Sequence, residues 1–238
     1  VIIDNTTHAM IKDLAQVTAL GNGSGVSYIP TFDTNFTSYA DNFKGADLPD
    51  WDASAGLVAG NASAASDVGL TAADARNTGL SLLTKTRNSV AHSETGHGVV
   101  VNAAASNAVR SLEVGFAGAG SAAIALSGNV PVITSDTQAS IKAAQINTLA
   151  GVAQANQGVT VAAANDTYNL GIAGAAAAGG AFGAGAGATV SVVKTTTKAS
   201  VDSAANMTAA SDVFVSAKAQ ADFAAFAAAL DGVGGTAG

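Results

Sequence analysis

Apolar and polar residues alternate with a period of two in several short runs of the chain. The run Val-Thr-Val-Ala at residues 159–162 is one example, and Thr-Val-Ser-Val-Val at 189–193 is another. A period of two is typical of a β-strand with one buried face. Polar residues at 165–167 and 202–203 follow such runs and are predicted to form turns. The pattern therefore predicts short strands joined by turns.

The same order of residues recurs along the chain. Thr-Lys-Ala-Ser-Val at 197–201 matches Thr-Gln-Ala-Ser-Ile at 137–141, and residues 1–11 overlay 191–201 without a gap. A weaker copy is predicted at residues 86–90, Thr-Arg-Asn-Ser-Val. Similarity at a fixed spacing is typical of proteins built from stacked repeats. We therefore expect one structural unit that is used several times.

Short strands in repeated order predict an all-β fold, a repetitive parallel β-solenoid with an Ala- and Gly-rich core. The units are about 55–60 residues long, and residues from Val213 onward begin a new copy of the stretch that starts at Val159. Because both ends lie within copies, we expect the chain to be part of a longer array. The predicted divisions are a partial repeat at 1–20, an insertion and return at 21–79, repeats at 80–157 and 158–212, and a partial repeat at 213–238.

Composition agrees with thin, closely packed layers. Only 11% of the residues are charged and 5% are aromatic, and there is no Cys. Helix is the competing interpretation because Ala is the best helix former, and residues 142–154 and 217–230 would be the helices. Frequent Gly opposes it, since each Gly costs nearly 1 kcal/mol in a helix interior. The uncharged stretch 167–193 is long enough to span a bilayer, but its Ala and Gly content predicts no membrane insertion.

One segment breaks the repeat. Residues 21–55 contain six of the twelve aromatic residues and two of the three prolines. Insertions in repeat proteins often form the binding face, so this segment is the predicted interaction surface. Its candidate contact residues are Tyr28, Phe32, Phe36, Tyr39, Phe43 and Trp51.

Little in the sequence indicates a metal or catalytic site. Asp47, Asp50 and Asp52 could bind Ca²⁺, although solvated turn aspartates are the default interpretation. His92, Glu94 and His97 could bind a metal only if a loop brings them together, and a solvated polar turn is favoured. His8 occupies the repeat position of a Gln and a Lys, which predicts a surface residue.

No catalytic residue, cofactor-binding residue or cofactor is therefore predicted. The Gly-rich tracts lead into strands, so close backbone packing explains them better than nucleotide binding does. The formal net charge of −7 argues against nucleic acid as a partner.

The motif Val-x-Val-x-Ala, then a Gly/Ala tract, then Val-x-Val-Val-Lys-Thr-Thr-Thr-Lys-Ala-x-Val resembles the repeats of large Gram-negative surface adhesins. These are the filamentous-haemagglutinin-like and leukotoxin-type filamentous adhesins, and the likeness covers residues 1–20 and 80–238. It implies an exported β-helical stalk at the bacterial outer surface, not an enzyme. Its partners would be itself or neighbouring repeats, in a head-to-tail fibre, and a host or other cell-surface ligand.

Two alternatives remain open at the level of sequence. One is a polysaccharide-active β-helix enzyme, which would need clustered carboxylates on one sheet face. The other is an ice- or surface-binding β-solenoid, because Thr195, Thr196 and Thr197 would stack on equivalent residues such as Thr6 and Thr7. Structural stacking of Thr on Thr is the favoured interpretation.

Overall fold

The computed structural model describes residues 1–38, 85–149 and 154–233, and these residues form thirteen strands. The strands are β1 (Ile2–Ile11), β2 (Gln16–Val17), β3 (Val26–Ser38), β4 (Lys85–Gly96), β5 (Gly98–Ala119), β6 (Ala122–Asn129), β7 (Val132–Ile141), β8 (Gln145–Ile146), β9 (Gly158–Gly179), β10 (Phe182–Thr189), β11 (Val192–Val201), β12 (Asn206–Met207) and β13 (Val213–Val233). None of these residues is helical, which confirms the all-β prediction. Nor do they include a helix with the length and hydrophobicity that a membrane crossing requires.

The strands form four parallel sheets and one antiparallel pair. The parallel sheets have the orders β1-β7-β11, β2-β8-β12, β5-β9-β13 and β6-β10, while β3 and β4 form the antiparallel pair. Residues 217–230, which could also be drawn as a helix, lie in β13 and pair with β9. Side chains of β13 alternate between more and less exposed, as a strand requires.

The repeats seen in the sequence are neighbours in space. Thr137 of β7 lies between Thr7 of β1 and Thr197 of β11, and all ten residues of β7 keep this register. Val159 of β9 likewise lies between Val99 and Val213. Each strand therefore packs on its own equivalent, and the offsets in the sequence are the offsets between paired strands.

The chain visits the sheets in a repeating order. Strands β5, β6, β7 and β8 each join a different parallel sheet, and β9 to β12 repeat that order as the next strand of each sheet. Three connections are equivalent: residues 18–97, 147–157 and 208–212. The insertion is thus one greatly lengthened connection.

The weak repeat copy predicted at residues 86–90 is wrong. These residues lie in β4, which is antiparallel to β3 and does not join the parallel sheet of β1, β7 and β11. We call the pair β3–β4 the arm. Its position is set by contacts with the outer face of the β5-β9-β13 sheet, where Arg87 is buried.

The core is thin and consists mainly of Val, Ile and Ala. The main cluster lies between the parallel sheets and contains Val99, Val101, Ala103, Ala139, Ile141, Ala144, Ile146, Val159, Val161 and Ala163. Gly98 shows how closely the backbones approach. It has a φ of 90°, and a Cβ at this position would lie 2.2 Å from the carbonyl oxygen of Gly158. Only glycine tolerates both conditions.

The polar turn predicted at residues 165–167 is also wrong, because these residues lie in the middle of β9 and are buried. Asn165 donates to Ser135 Oγ at 2.6 Å and to Thr137 Oγ1 at 3.0 Å in the interior. Asp166, on the other face, contacts the arm. A polar triplet remains in a strand here because both faces of the sheet supply hydrogen-bond partners.

Candidate functional site

The arm lies on the outer face of the β5-β9-β13 sheet, and Asn102 of β5 fixes its near end. The Asn102 side chain accepts a hydrogen bond from the Ile29 backbone N–H at 3.0 Å and donates to the Ile29 carbonyl at 2.9 Å. Its Nδ2 also donates to the Ala162 carbonyl of β9 at 3.0 Å. The amide thus pairs with the arm as a neighbouring strand would, and it connects β3, β5 and β9.

A buried ion cluster fixes the rest of the arm. The guanidinium of Arg87 forms a bidentate contact with Asp166, of which the Nη1–Oδ2 distance is 2.8 Å, and its Nε donates to Asp222 Oδ2 at 2.7 Å. The side chains of Arg87 and Asp166 are 2% and 1% exposed, whereas that of Asp222 is 36% exposed. Arg87 therefore joins the arm to two adjacent strands, β9 and β13.

Aromatic and electrostatic contacts complete this cluster. The guanidinium carbons of Arg87 and Arg110 lie 5.3 Å and 5.7 Å from the centroid of the Tyr168 ring, within cation–π range. Burial alone would raise the pKa of Asp166, but hydrogen bonds and the charge of Arg87 hold it below its usual value. Hydrogen bonding to Asp166 raises the pKa of Arg87 further. Both groups are therefore charged at neutral pH.

The structure describes two of the six predicted contact side chains. Tyr28 is 7% exposed and its hydroxyl donates to Glu94 Oε2 at 2.8 Å, so it holds the arm together and offers no contact surface. Burial, with the Glu94 hydrogen bond and charge, raises the pKa of Tyr28 to about 12. Phe32 is half-buried. Phe36 lies in β3, but its side chain and the residues Tyr39, Phe43 and Trp51 lie outside what the structure describes.

An open cleft separates the arm from the edge strand β13. It has a volume of about 390 Å³, and its lining includes Thr31 and Phe32 of the arm and Lys218 and Gln220 of β13. Gln220 also donates to Thr34 of the arm. An aromatic ring, an ammonium group, an amide and a hydroxyl can contact polar groups. The lining contains no carboxylate.

The predicted metal candidates do not form a metal site in the described residues. His92 lies in β4, not in a turn, and its Nδ1 is 3.0 Å from Asp33 Oδ2 across the arm. Its other nitrogen is 3.9 Å from Glu94 Oε1. Two carboxylates on opposite nitrogens of one ring do not converge on one point. Asp47, Asp50 and Asp52 lie outside the described residues.

His8 is exposed, as predicted, and lies opposite Gln138 in the sheet, with Lys198 at the equivalent place on the far side of β7. Its Nε2 is 3.0 Å from Asp136 Oδ2. Hydrogen bonds from Gln138 and His8 lower the pKa of Asp136. This contact is a surface pair of the repeat.

Sequence reasoning missed Arg87, Asp166 and Asp222. The available signal was the mismatch at the weak repeat copy, where Arg87 and Asn88 replace the Lys-Ala of residues 198 and 199. An alanine position of the interior would not accept asparagine without a partner. Comparison of the chain with protein-family models, with curated proteins and with solved structures finds no match.

Proposed function

We propose that this chain is a β-helical segment of an extracellular bacterial surface filament or large adhesin. One observation carries the proposal: equivalent strands about 60 residues apart stack in parallel and in register in several sheets at once. Such stacking builds a structure that can lengthen without a change in cross-section, because each layer contacts only its neighbours. This is the mechanical requirement of a stalk.

The side chains between the sheets suit that role. Asn165, Ser135 and Thr137 form a buried row of hydrogen bonds beside the Val, Ile and Ala cluster. Satisfied polar rows of this kind hold one layer over the next, and unsatisfied ones would be costly. Stability is then distributed along the stack and does not depend on one large core.

The arm is the part of the described chain that does not repeat. In the proposed function it contributes the contact surface for a host ligand or other cell-surface ligand, together with the aromatic residues that follow it in sequence. Phe32 and the cleft beside it are the described part of that surface. Tyr28 is excluded from it by burial.

Negative-stain microscopy of native surface material, labelled with an antibody against this chain, tests the filament. We expect labelled fibres of constant width, and labelled compact particles alone would contradict the proposal. Attachment to host cells tests adhesion separately. Combined alanine substitutions at Phe32, Phe36, Tyr39 and Trp51 should reduce attachment, whereas Phe116→Ala, at an exposed aromatic outside the arm, should not. Equal attachment by both variants would remove the arm from the binding surface.

A further inference from the structure

Strands β1 and β11 are the two edges of one sheet and are equivalent to each other. Each pairs with β7, and among the described residues neither has a partner on its other side. Both keep the same register, so that Ile2 and Val192 lie on either side of Val132. The step that carries β1 to β7, and β7 to β11, would place the next strand on the free edge of β11. A strand with the sequence of β1 fits that place.

We propose that a second copy of this chain docks there, with its β1 on β11 in the register that β1 and β11 share with β7. This inference rests on the proposed function, because it specifies how one segment of the filament meets the next. The contact is a parallel strand addition, in which backbone hydrogen bonds supply affinity and side-chain rows supply register.

The interior side chains of β11 match those of β1 row by row. Within the chain, Thr7, Thr137 and Thr197 form one row, and Ala9, Ala139 and Ala199 form another. At the proposed junction Thr197 would lie beside Thr7 of the second copy, and Ala199 beside Ala9. Each row would therefore continue with the same residue type, which preserves both the packing and the hydroxyl contacts.

The outward-facing row adds charge complementarity. Asp4 and Lys194 both lie opposite Thr134, on either side of it, and both are exposed. At the junction Lys194 would lie directly opposite Asp4 of the second copy, and opposite charges at such a position are favourable. A shift by two residues would separate these charges, so the pair favours the proposed register.

The neighbouring sheets extend in the same way. The same displacement places β2 of the second copy on β12, and β5 on β13. Three side chains of β13 that correspond to buried residues of β9 are now half-exposed: Val213 at 49%, Val215 at 45% and Phe223 at 53%. Coverage by β5 of the second copy would bury them beside Val99, Val101 and Val109. The β6-β10 sheet would remain one strand short at the junction.

Cysteine cross-linking tests this register directly, because the chain contains no Cys. Thr6→Cys and Thr196→Cys are combined in one chain. Within one copy these residues flank Asp136 and are two strand spacings apart, about 9.6 Å, which a disulfide cannot span. Across the proposed junction they are about 4.8 Å apart, within disulfide range.

The matched control pairs Thr6→Cys with Lys198→Cys, which shifts one partner by two residues to a distance of about 8 Å. After mild oxidation, a non-reducing gel should show dimers and longer linked species for the first variant and mainly monomer for the control. Equal cross-linking in both, or none in the first, would overturn the junction. If native filaments persist without cross-linking, the junction fails while the proposed function stands. If cross-linking occurs and no surface filament is found, the reverse holds.

Discussion

Replacement of Arg87 by Met tests whether the buried ion cluster holds the arm on the sheet. Met retains most of the aliphatic volume, so the change is mainly electrostatic. It leaves the carboxylate of Asp166, 1% exposed, with the Ser106 hydroxyl at 3.3 Å but without its cation. Removal of one partner from a buried ion pair costs about 3–5 kcal/mol. Since Asp222 is partly exposed and can be solvated, we expect a loss near the lower value, about 3 kcal/mol.

The effect should depend on pH with a defined sign. In the wild-type protein the pKa of Asp166 is lowered, so its contribution is present above the usual carboxyl pKa and is lost as the pH falls through the lowered value. In Arg87→Met the dominant remaining influence is burial, which raises that pKa. Protonation then relieves the buried charge. The difference in stability between the two proteins should therefore be largest near pH 7 and shrink toward pH 4.

Urea unfolding followed by far-ultraviolet circular dichroism, between pH 7 and pH 4, measures both quantities. Arg110→Met is the matched control, because Arg110 contacts the same Tyr168 ring but is exposed. An exposed cation–π contact contributes about 0.5–1 kcal/mol, so the control should lose no more than this. The reasoning is refuted if both variants lose equal stability, or if the deficit of Arg87→Met stays constant as the pH falls.

Three further predictions concern the close backbone contact, the arm and its buried tyrosine. Gly98→Ala should lower the stability by at least about 2 kcal/mol in thermal unfolding, because of its positive φ and the clash with the adjacent strand, whereas Gly118→Ala, with nothing within 4 Å, should change it by less than about 0.5 kcal/mol. Asn102→Ala removes three hydrogen bonds and should increase hydrogen exchange of the Ile29 amide at least tenfold, a change of about 1.4 kcal/mol, and unchanged exchange would contradict the role of this amide. Because the pKa of Tyr28 is raised to about 12, the wild-type protein should lose stability as the pH rises from about 10 toward 12, and denaturation at pH 9 and pH 11.5 should show a smaller loss for Tyr28→Phe.

The register of the parallel sheets was predictable from the sequence, and the reason is physical. In stacked parallel strands each side chain packs on its own equivalent, so a position that suits one layer suits the next. Ala139 is fully buried between Ala9 and Ala199, and Ile141 is fully buried between Ile11 and Val201. The packing requirement thus appears directly as sequence similarity.

The arm and the buried polar triplet could not be predicted in this way. Asn165, Asp166 and Thr167 have the composition of a turn when their partners are unknown. Asn165 is satisfied by hydroxyls from β7, and Asp166 by Arg87, a residue 79 positions earlier in the chain. No local pattern contains these partners, because they come from a sheet across the core and from a long connection between strands.

The ion cluster also gives the arm an effect on the repeat itself. Ala- and Gly-rich strands define their register weakly, because shifted alanines still pack on alanines. Arg87 contacts Asp166 of β9 and Asp222 of β13, which lies opposite Tyr168. A slip of β13 by two residues in one direction would set Asp222 directly opposite Asp166, where like charges repel. A slip in the other direction would carry Asp222 about 6.6 Å along the strand and away from the guanidinium. The non-repeating arm therefore selects one register for two strands whose own sequences define it poorly.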